Sequence, residues 1–227
     1  MAGVDTGTES FACDAILFDM DGTLVDSTAP VERQWRLWAE RRGLDAERVL
    51  AVAHGRRTIE TMRDVAPHLN IPDEEAVGFD EAEGLDAAGV VPVAGAAPLL
   101  AALPRERWAV VTSAGDWLAR MRFAQSGLPL PDVLVTGEDV REGKPHPGGY
   151  LLAARRLGVP GERCLVIEDT PAGIGAGLSA GMRVLAIGNT VPRESLPPVP
   201  WIPDLTHLRL APGDGSYFHV AVKMLNS

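Results

Sequence analysis

The chain has 227 residues, 46% of them hydrophobic, and a mean hydropathy of +0.04, enough for a globular core with a smaller appended unit. A formal charge of -10 and a pI near 4.9 exclude nucleic acid and anionic membrane surfaces as natural partners, so an anionic ligand must be drawn in by local positive charge. Two cysteines, Cys13 and Cys164, are too few for a disulfide framework and read as buried free thiols.

Residues 1–10 are small, polar and acidic, without the basic start and apolar stretch of a signal peptide, and no apolar run reaches membrane-spanning length. The expectation is a cytoplasmic protein. Its oligomeric state is left open, and nothing in the sequence requires more than a monomer. Apolar, β-branched runs at residues 15–19, 108–112, 133–136, 164–167 and 184–187 alternate with helical stretches, which predicts a doubly wound parallel α/β core. Between residues 29 and 90 the alternation stops. Pro30, Pro67 and Pro72 punctuate helix-like stretches at 31–42 and 58–66 there, with Trp35 and Trp38 at i, i+3 for packing. The predicted organisation is therefore a core from 1–28 and 91–227 with a helical insertion at 29–90. Residues 90–95 serve as the return linker, and the Pro-rich stretch 192–203 as a surface loop.

The strongest chemical signal is FDMDGTLVDS, residues 18–27. Asp19 and Asp21 are two apart as the first strand runs out, so an extended backbone turns both carboxylates to one side. Ligands of parallel sheets bind beyond the carboxyl ends of the strands. Carboxylates held this close call for a hard divalent cation, and Gly22 allows a tight turn under the ligand. Later strand ends add Thr112 and Ser113 before a helix, Lys144 in the loop GKPHP, and Glu168 and Asp169 ahead of Thr170-Pro171. Each piece alone is ordinary; their order along successive strand ends is not. Residues 137–144 imitate a phosphate-binding P-loop but have the wrong spacing, with Pro145 where Ser or Thr is needed. The glycines at 173, 175, 177 and 181 do not form a dinucleotide fingerprint and read as close helix packing.

FDMDGT, VVTSAG, GKPHP and IEDTPAG together resemble the four motifs of the haloacid-dehalogenase (HAD) superfamily over nearly the whole chain. The resemblance implies an α/β core with an inserted helical cap and a Mg²⁺-dependent phosphatase that forms an aspartyl-phosphate. Asp19 would be the nucleophile and Asp21 the general acid and base, with Thr112 and Lys144 completing the catalytic set and Ser113 beside the phosphate. Asp19, Asp21 through its backbone carbonyl, and Asp169 would hold Mg²⁺, with Glu168 acting directly or through a water. Within the insertion, HGRRT at residues 54–58 is similar to a stretch of glycerol-phosphate and 2-deoxyglucose-6-phosphate phosphatases. That likeness points to a small sugar or polyol phosphate as substrate, with His54 and Arg57 hydrogen-bonding its hydroxyls. A β-phosphoglucomutase-like phosphotransferase is the alternative, disfavoured because Val31 stands where those enzymes carry a histidine. Asp21 argues against a dehalogenase, and a 29–90 segment without lysine argues against a phosphonate hydrolase. A non-enzymatic binding protein would be expected to have lost a charged site residue, and none is missing.

Overall fold

The computed structural model describes residues 8–212 and 218–223. Its central sheet is built from six parallel strands: β2 (Ala15–Phe18), β5 (Trp108–Val111), β6 (Leu134–Val135), β7 (Cys164–Glu168), β8 (Arg183–Ile187) and β9 (Trp201–Ile202). They lie in the order β6-β5-β2-β7-β8-β9. The chain winds outward from β2 in one direction and then, through β7, in the other. β2 and β7 therefore flank the point where strand order reverses, the usual place for a ligand in this architecture.

The apolar strands bury both faces, as their sequences predict. Ile16, Phe18, Val110, Ile167 and Leu185 pack on one side against α5 (Ala96–Ala102) and α6 (Asp116–Ser126). Ala15, Leu17, Val111, Val166 and Val184 face α7 (Gly148–Leu157) and α8 (Pro171–Ser179) on the other. Cys13 and Cys164 are buried and free, in different faces of the core, and burial pushes their thiols up to about 12 and about 11. The glycine-rich α8 lies close on the sheet: a Cβ on Gly177 would come within 2.8 Å of Val184.

Between β3 (Val25–Asp26) and β4 (Val91–Pro92) run four helices, α1 (Thr28–Arg42), α2 (Ala46–Ala53), α3 (Thr58–Val65) and α4 (Asp73–Leu85). They have an apolar cluster of their own, centred on Trp35, Trp38, Met62 and Phe79. The two tryptophans meet edge to face at 5.6 Å, and Trp38 donates from Nε1 to Glu75 (2.7 Å), so both rings are structural as expected.

Three features differ from the sequence-based expectations. Residues 90–95 are more than a linker, because β4 pairs antiparallel with β3 and draws the two ends of the helical segment together. The stretch 192–203 is not wholly a loop: β9 extends the sheet by pairing with β8, and Ile202 is fully buried. A second sheet, ordered β1-β11-β10, joins β1 (Thr8–Cys13) to β10 (Leu208–Pro212) and β11 (Phe218–Lys223). Residues 8–10 of the polar leader thus form strand, while the rest of it lies outside the described residues. The strands of this small sheet lack continuous apolar runs because only alternate residues, such as Val220 and Val222 of the central β11, are buried. Among the described residues, no helix is long and apolar enough to cross a membrane.

Candidate active site

At the end of β2 the chain turns sharply: Leu24 and Val25 both donate to the Met20 carbonyl (2.9 Å each), and Gly22 adopts φ 86°. A Cβ on Gly22 would sit 1.9 Å from Asp169 Oδ2, so only glycine lets this turn approach β7. Asp19 is thereby held 4% exposed, next to Lys144 and opposite Glu168 and Asp169.

Lys144 is the hub. Its Nζ donates to Asp19 Oδ1, to Glu168 Oε1 (2.7 Å) and to the Val111 carbonyl (3.1 Å), which satisfies all three ammonium protons inside the protein. Burial opposes its charge, but Asp19 and Glu168 outweigh it and hold the ammonium above its usual range. Glu168 is fully buried: Oε1 also accepts from Tyr150 Oη (3.0 Å), and Oε2 accepts from the amides of Asp169 (2.9 Å) and Thr170 (3.1 Å) and from the Thr170 hydroxyl. Both oxygens are therefore committed to the protein, which makes Glu168 the anchor of Lys144. A Cβ on Gly173 would overlap this carboxylate, so the glycine just beyond Pro171 makes its room. Asp169 accepts from Thr23 (3.3 Å) and from Thr190.

Burial raises Asp19 to about 8, against the opposing pull of Lys144, and pushes Asp169 well above the carboxylate range, reinforced by Asp19 and Glu168. Oxygens of Asp19, Glu168 and Asp169 all lie within 4.8 Å of one another. Three carboxylates against the one Lys144 ammonium leave a formal -2, which a single divalent cation would cancel; the donor set is all oxygen, as a hard cation requires.

The remaining predicted residues fall around the same cleft, with one exception. Asp21 projects into it, its Oδ1 accepting from Ser27 (2.6 Å). Thr112 lines the cleft at the end of β5, and Ser113 lies beside it with its hydroxyl donating to Gly55 of the helical segment (2.8 Å). His54 also lines the cleft, and burial lowers its pKa, which favours the neutral ring. Arg57 does not line it. Its guanidinium is held by Glu60 and donates to the carbonyls of Gly137 (3.4 Å), Val140 (3.3 Å) and Arg141 (3.0 Å). In this structure Arg57 is a clasp between the helical segment and the loop that leads to Lys144, and the expected hydroxyl-binding residue does not face the cleft. Its neighbour Arg56 borders the cleft instead, paired with Asp64 (2.8 Å).

Sequence reasoning missed Thr23, Tyr150, Thr190, Arg122 and Glu83. Thr190 follows β8 and was findable by the same strand-end rule that gave the others. Arg122 and Glu83 sit on helices and meet across 39 positions, and no local pattern marks them.

A family model described as haloacid dehalogenase-like hydrolase matches residues 13–181. Hexitol phosphatase A of Escherichia coli (strain K12) is 43% identical over 190 residues, covering 77% of this chain and 83% of that protein. Glycerol-1-phosphate phosphohydrolase 2 of Saccharomyces cerevisiae is 36% identical over 201 residues, covering 83% and 80%. Among solved structures, CbbY from Rhodobacter sphaeroides in complex with phosphate superposes with a TM-score of 0.73 at 25% identity, covering 85% of this chain and 95% of that one.

The raised carboxyls make stability depend on pH. Asp19 at about 8 and Asp80 at about 6 both hold protons in the native state that the unfolded chain releases near pH 4, so the native state binds more protons and stability falls as pH rises through this window. His54, lowered on folding, opposes this only around its ordinary value. In excess chelator, denaturant unfolding should therefore show lower stability at pH 7.5 than at pH 5.5, by about 1 kcal/mol per pH unit or more. Asp19→Asn should flatten the slope; a slope that rises with pH would remove this account of the cluster.

Proposed function

The chain belongs to the haloacid dehalogenase-like hydrolases, and from that membership we propose that it is a Mg²⁺-dependent phosphatase of small sugar or polyol phosphates. The observation that carries the reading is the Asp19–Lys144–Glu168 arrangement with Asp169 beside it: a buried carboxylate nucleophile, a fixed cation and a site for a hard metal at one sheet end. The substrate class is supported by relatives whose names specify hexitol and glycerol phosphates. Helices α1–α4 act as a cap over the site, and the two free buried thiols suit a cytoplasmic enzyme.

Asp19 attacks the phosphorus atom and forms the aspartyl-phosphate as the bond to the leaving oxygen breaks. Lys144, already desolvated and fixed, places its charge beside the phosphoryl oxygens, and the Thr112 hydroxyl and the Ser113 backbone amide bind that group. Asp21, as general acid, gives a proton to the leaving alkoxide and afterwards, as general base, takes one from the water that hydrolyses the intermediate. The Asp19 and Asp169 carboxylates and the Asp21 carbonyl would hold Mg²⁺, and Glu168, whose own oxygens are already hydrogen-bonded, would support the site from behind. When bound, the ion neutralises the carboxylates and the phosphoryl oxygens. Ser27 keeps Asp21 turned toward the cleft.

Binding of Mg²⁺ to the native state alone should raise the thermal midpoint, by the equivalent of about 2.7 kcal/mol at a hundredfold excess over Kd, and Asp169→Asn should abolish the shift. An unchanged midpoint in the wild type at millimolar Mg²⁺ would contradict the metal site.

Asp19→Asn should eliminate both turnover and acid-stable phosphoprotein, whereas Asp21→Asn, given p-nitrophenyl phosphate with its good leaving group, should accumulate hydroxylamine-labile phosphoprotein. A phosphoprotein on the Asp19 variant would assign the nucleophile elsewhere.

Since Arg57 contacts the loop before Lys144 and not the cleft, Arg57→Ala should lower kcat/KM for p-nitrophenyl phosphate and for a polyol phosphate by similar factors, about tenfold or more. Loss confined to the polyol phosphate would return Arg57 to a substrate-binding role.

A further inference from the structure

The cleft contains a carboxylate that the phosphoryl-transfer steps do not use. Glu83, in the last turn of α4, is 5% exposed and lines the cleft together with Thr28, Trp35, His54 and Leu118. Arg122 of α6 is fully buried beneath it. Arg122 donates from Nη2 to Glu83 Oε1, while its Nε, which lacks a hydrogen-bond partner, lies 3.4 Å from Asp21 Oδ1. One guanidinium therefore spans Glu83 and the acid that serves the leaving group, which puts the Glu83 carboxylate where the leaving alcohol must lie. The turn is fixed from the other side as well, because Gln125 Nε2 donates to the Gly84 carbonyl (2.6 Å).

With Oε1 committed to Arg122, the second oxygen of Glu83 has no hydrogen-bond partner among the described residues. A carboxyl group that is nearly buried and half satisfied beside a cleft is a built acceptor, since leaving its lone pairs unpaired is costly. The charges around it do not suit an anion. Asp21 and Asp80 both face this carboxylate, the Arg122 charge is shared between Glu83 and Asp21, and Arg56 is paired with Asp64. Burial favours neutral His54.

We propose that Glu83 is a specificity-determining residue: its free oxygen accepts a hydrogen bond from a hydroxyl of the leaving alcohol, and the acidic surroundings reject leaving groups that carry a carboxylate or a second phosphate. The inference rests on the phosphatase reading and names the feature that selects the neutral, polyhydroxylated members of that substrate class. Hydroxyl recognition by a buried group is the kind of contact that discriminates strongly, because an analogue lacking the hydroxyl leaves the acceptor unpaired.

The test compares mannitol 1-phosphate with 2-phosphoglycolate on the full chain and on Glu83→Gln. Glutamine keeps an oxygen for Arg122 and places an amide donor where the free oxygen was. The ratio of kcat/KM for mannitol 1-phosphate over 2-phosphoglycolate should fall by about tenfold or more, through a higher KM for the polyol ester and an undiminished rate for the carboxylate ester. A ratio unchanged within about twofold, or equal losses on both esters, would leave Glu83 as a mere support for Arg122 and overturn the proposal. Should the variant not fold, competition on the wild type serves instead. Free mannitol should inhibit turnover and free glycolate should not; equal inhibition by glycolate overturns the proposal. Wild-type protein that hydrolyses no phosphomonoester would overturn the phosphatase reading and this inference with it, whereas an active wild type with an unmoved ratio would overturn this inference alone.

Discussion

The rest of the site depends on one buried ammonium ion. Lys144 has no water to solvate it, and a buried charge of this kind persists only when every proton has an acceptor. The fold supplies three acceptors from three different strand ends: Asp19 after β2, Val111 on β5 and Glu168 on β7. Removing any one would leave an unsolvated charge, so the requirement fixes the relative height of the strands and the path of the loop after β6. The same geometry leaves the carboxylates in excess. That excess makes the site demanding in isolation and attractive to a hard cation, so instability of the bare cluster and affinity for a ligand have one origin.

A second level of organisation is built around this cluster by hydroxyl groups. Thr23 and Thr190 hold Asp169, Thr170 and Tyr150 hold Glu168, and Ser27 holds Asp21. None of these side chains carries charge, yet each fixes a carboxylate rotamer that would otherwise be free to turn. The helical segment reaches the same centre by different means. Ser113 donates to Gly55, Arg57 clasps the 137–141 loop, and Glu83 meets Arg122, so α1–α4 touch the core through two partly buried polar contacts and one buried ion pair while their apolar cluster stays separate. The ion pair fixes the end of α4 on α6, because parting it would leave a buried charge without a partner.

Legibility in the sequence followed periodicity. The five apolar runs became β2, β5, β6, β7 and β8 because strands buried on both faces need continuous apolar side chains, whereas a helix with one wet face interrupts such a run with polar residues every turn. Most of the charged residues were readable for a related reason: Asp19, Asp21, Glu168 and Asp169 lie at or just beyond the ends of β2 and β7, whereas Lys144 stands farther out in the loop after β6 and was marked by its neighbours Gly143 and Pro145. Where burial is one-sided or the contact is between helices, this logic gave nothing. β1, β10 and β11 alternate polar and apolar residues over short lengths, and β9 hides among prolines. Arg57 illustrates a subtler limit. Its place in a basic stretch was visible, but whether its donors face the cleft or the carbonyls of residues 137–141 depends on how two units dock, which no local spacing encodes.

The two-rung ladder of β3 and β4 has a consequence for the architecture as a whole. Val25 pairs with Pro92 and Asp26 with Val91, so the chain leaves the core and returns to it through a single narrow neck. Topologically, everything between Asp26 and Val91 is the loop of a hairpin that happens to be four helices long. The sheet registers nothing of that loop except its closure, which means the segment can be regarded as an interchangeable module: one of different length or surface could be grafted onto the same two rungs while the strand ends below kept their alignment. The strand-end residues and the cleft-lining residues of the helices thereby lie on separate stretches of chain, the first aligned by the sheet and the second joined to it covalently only through the neck.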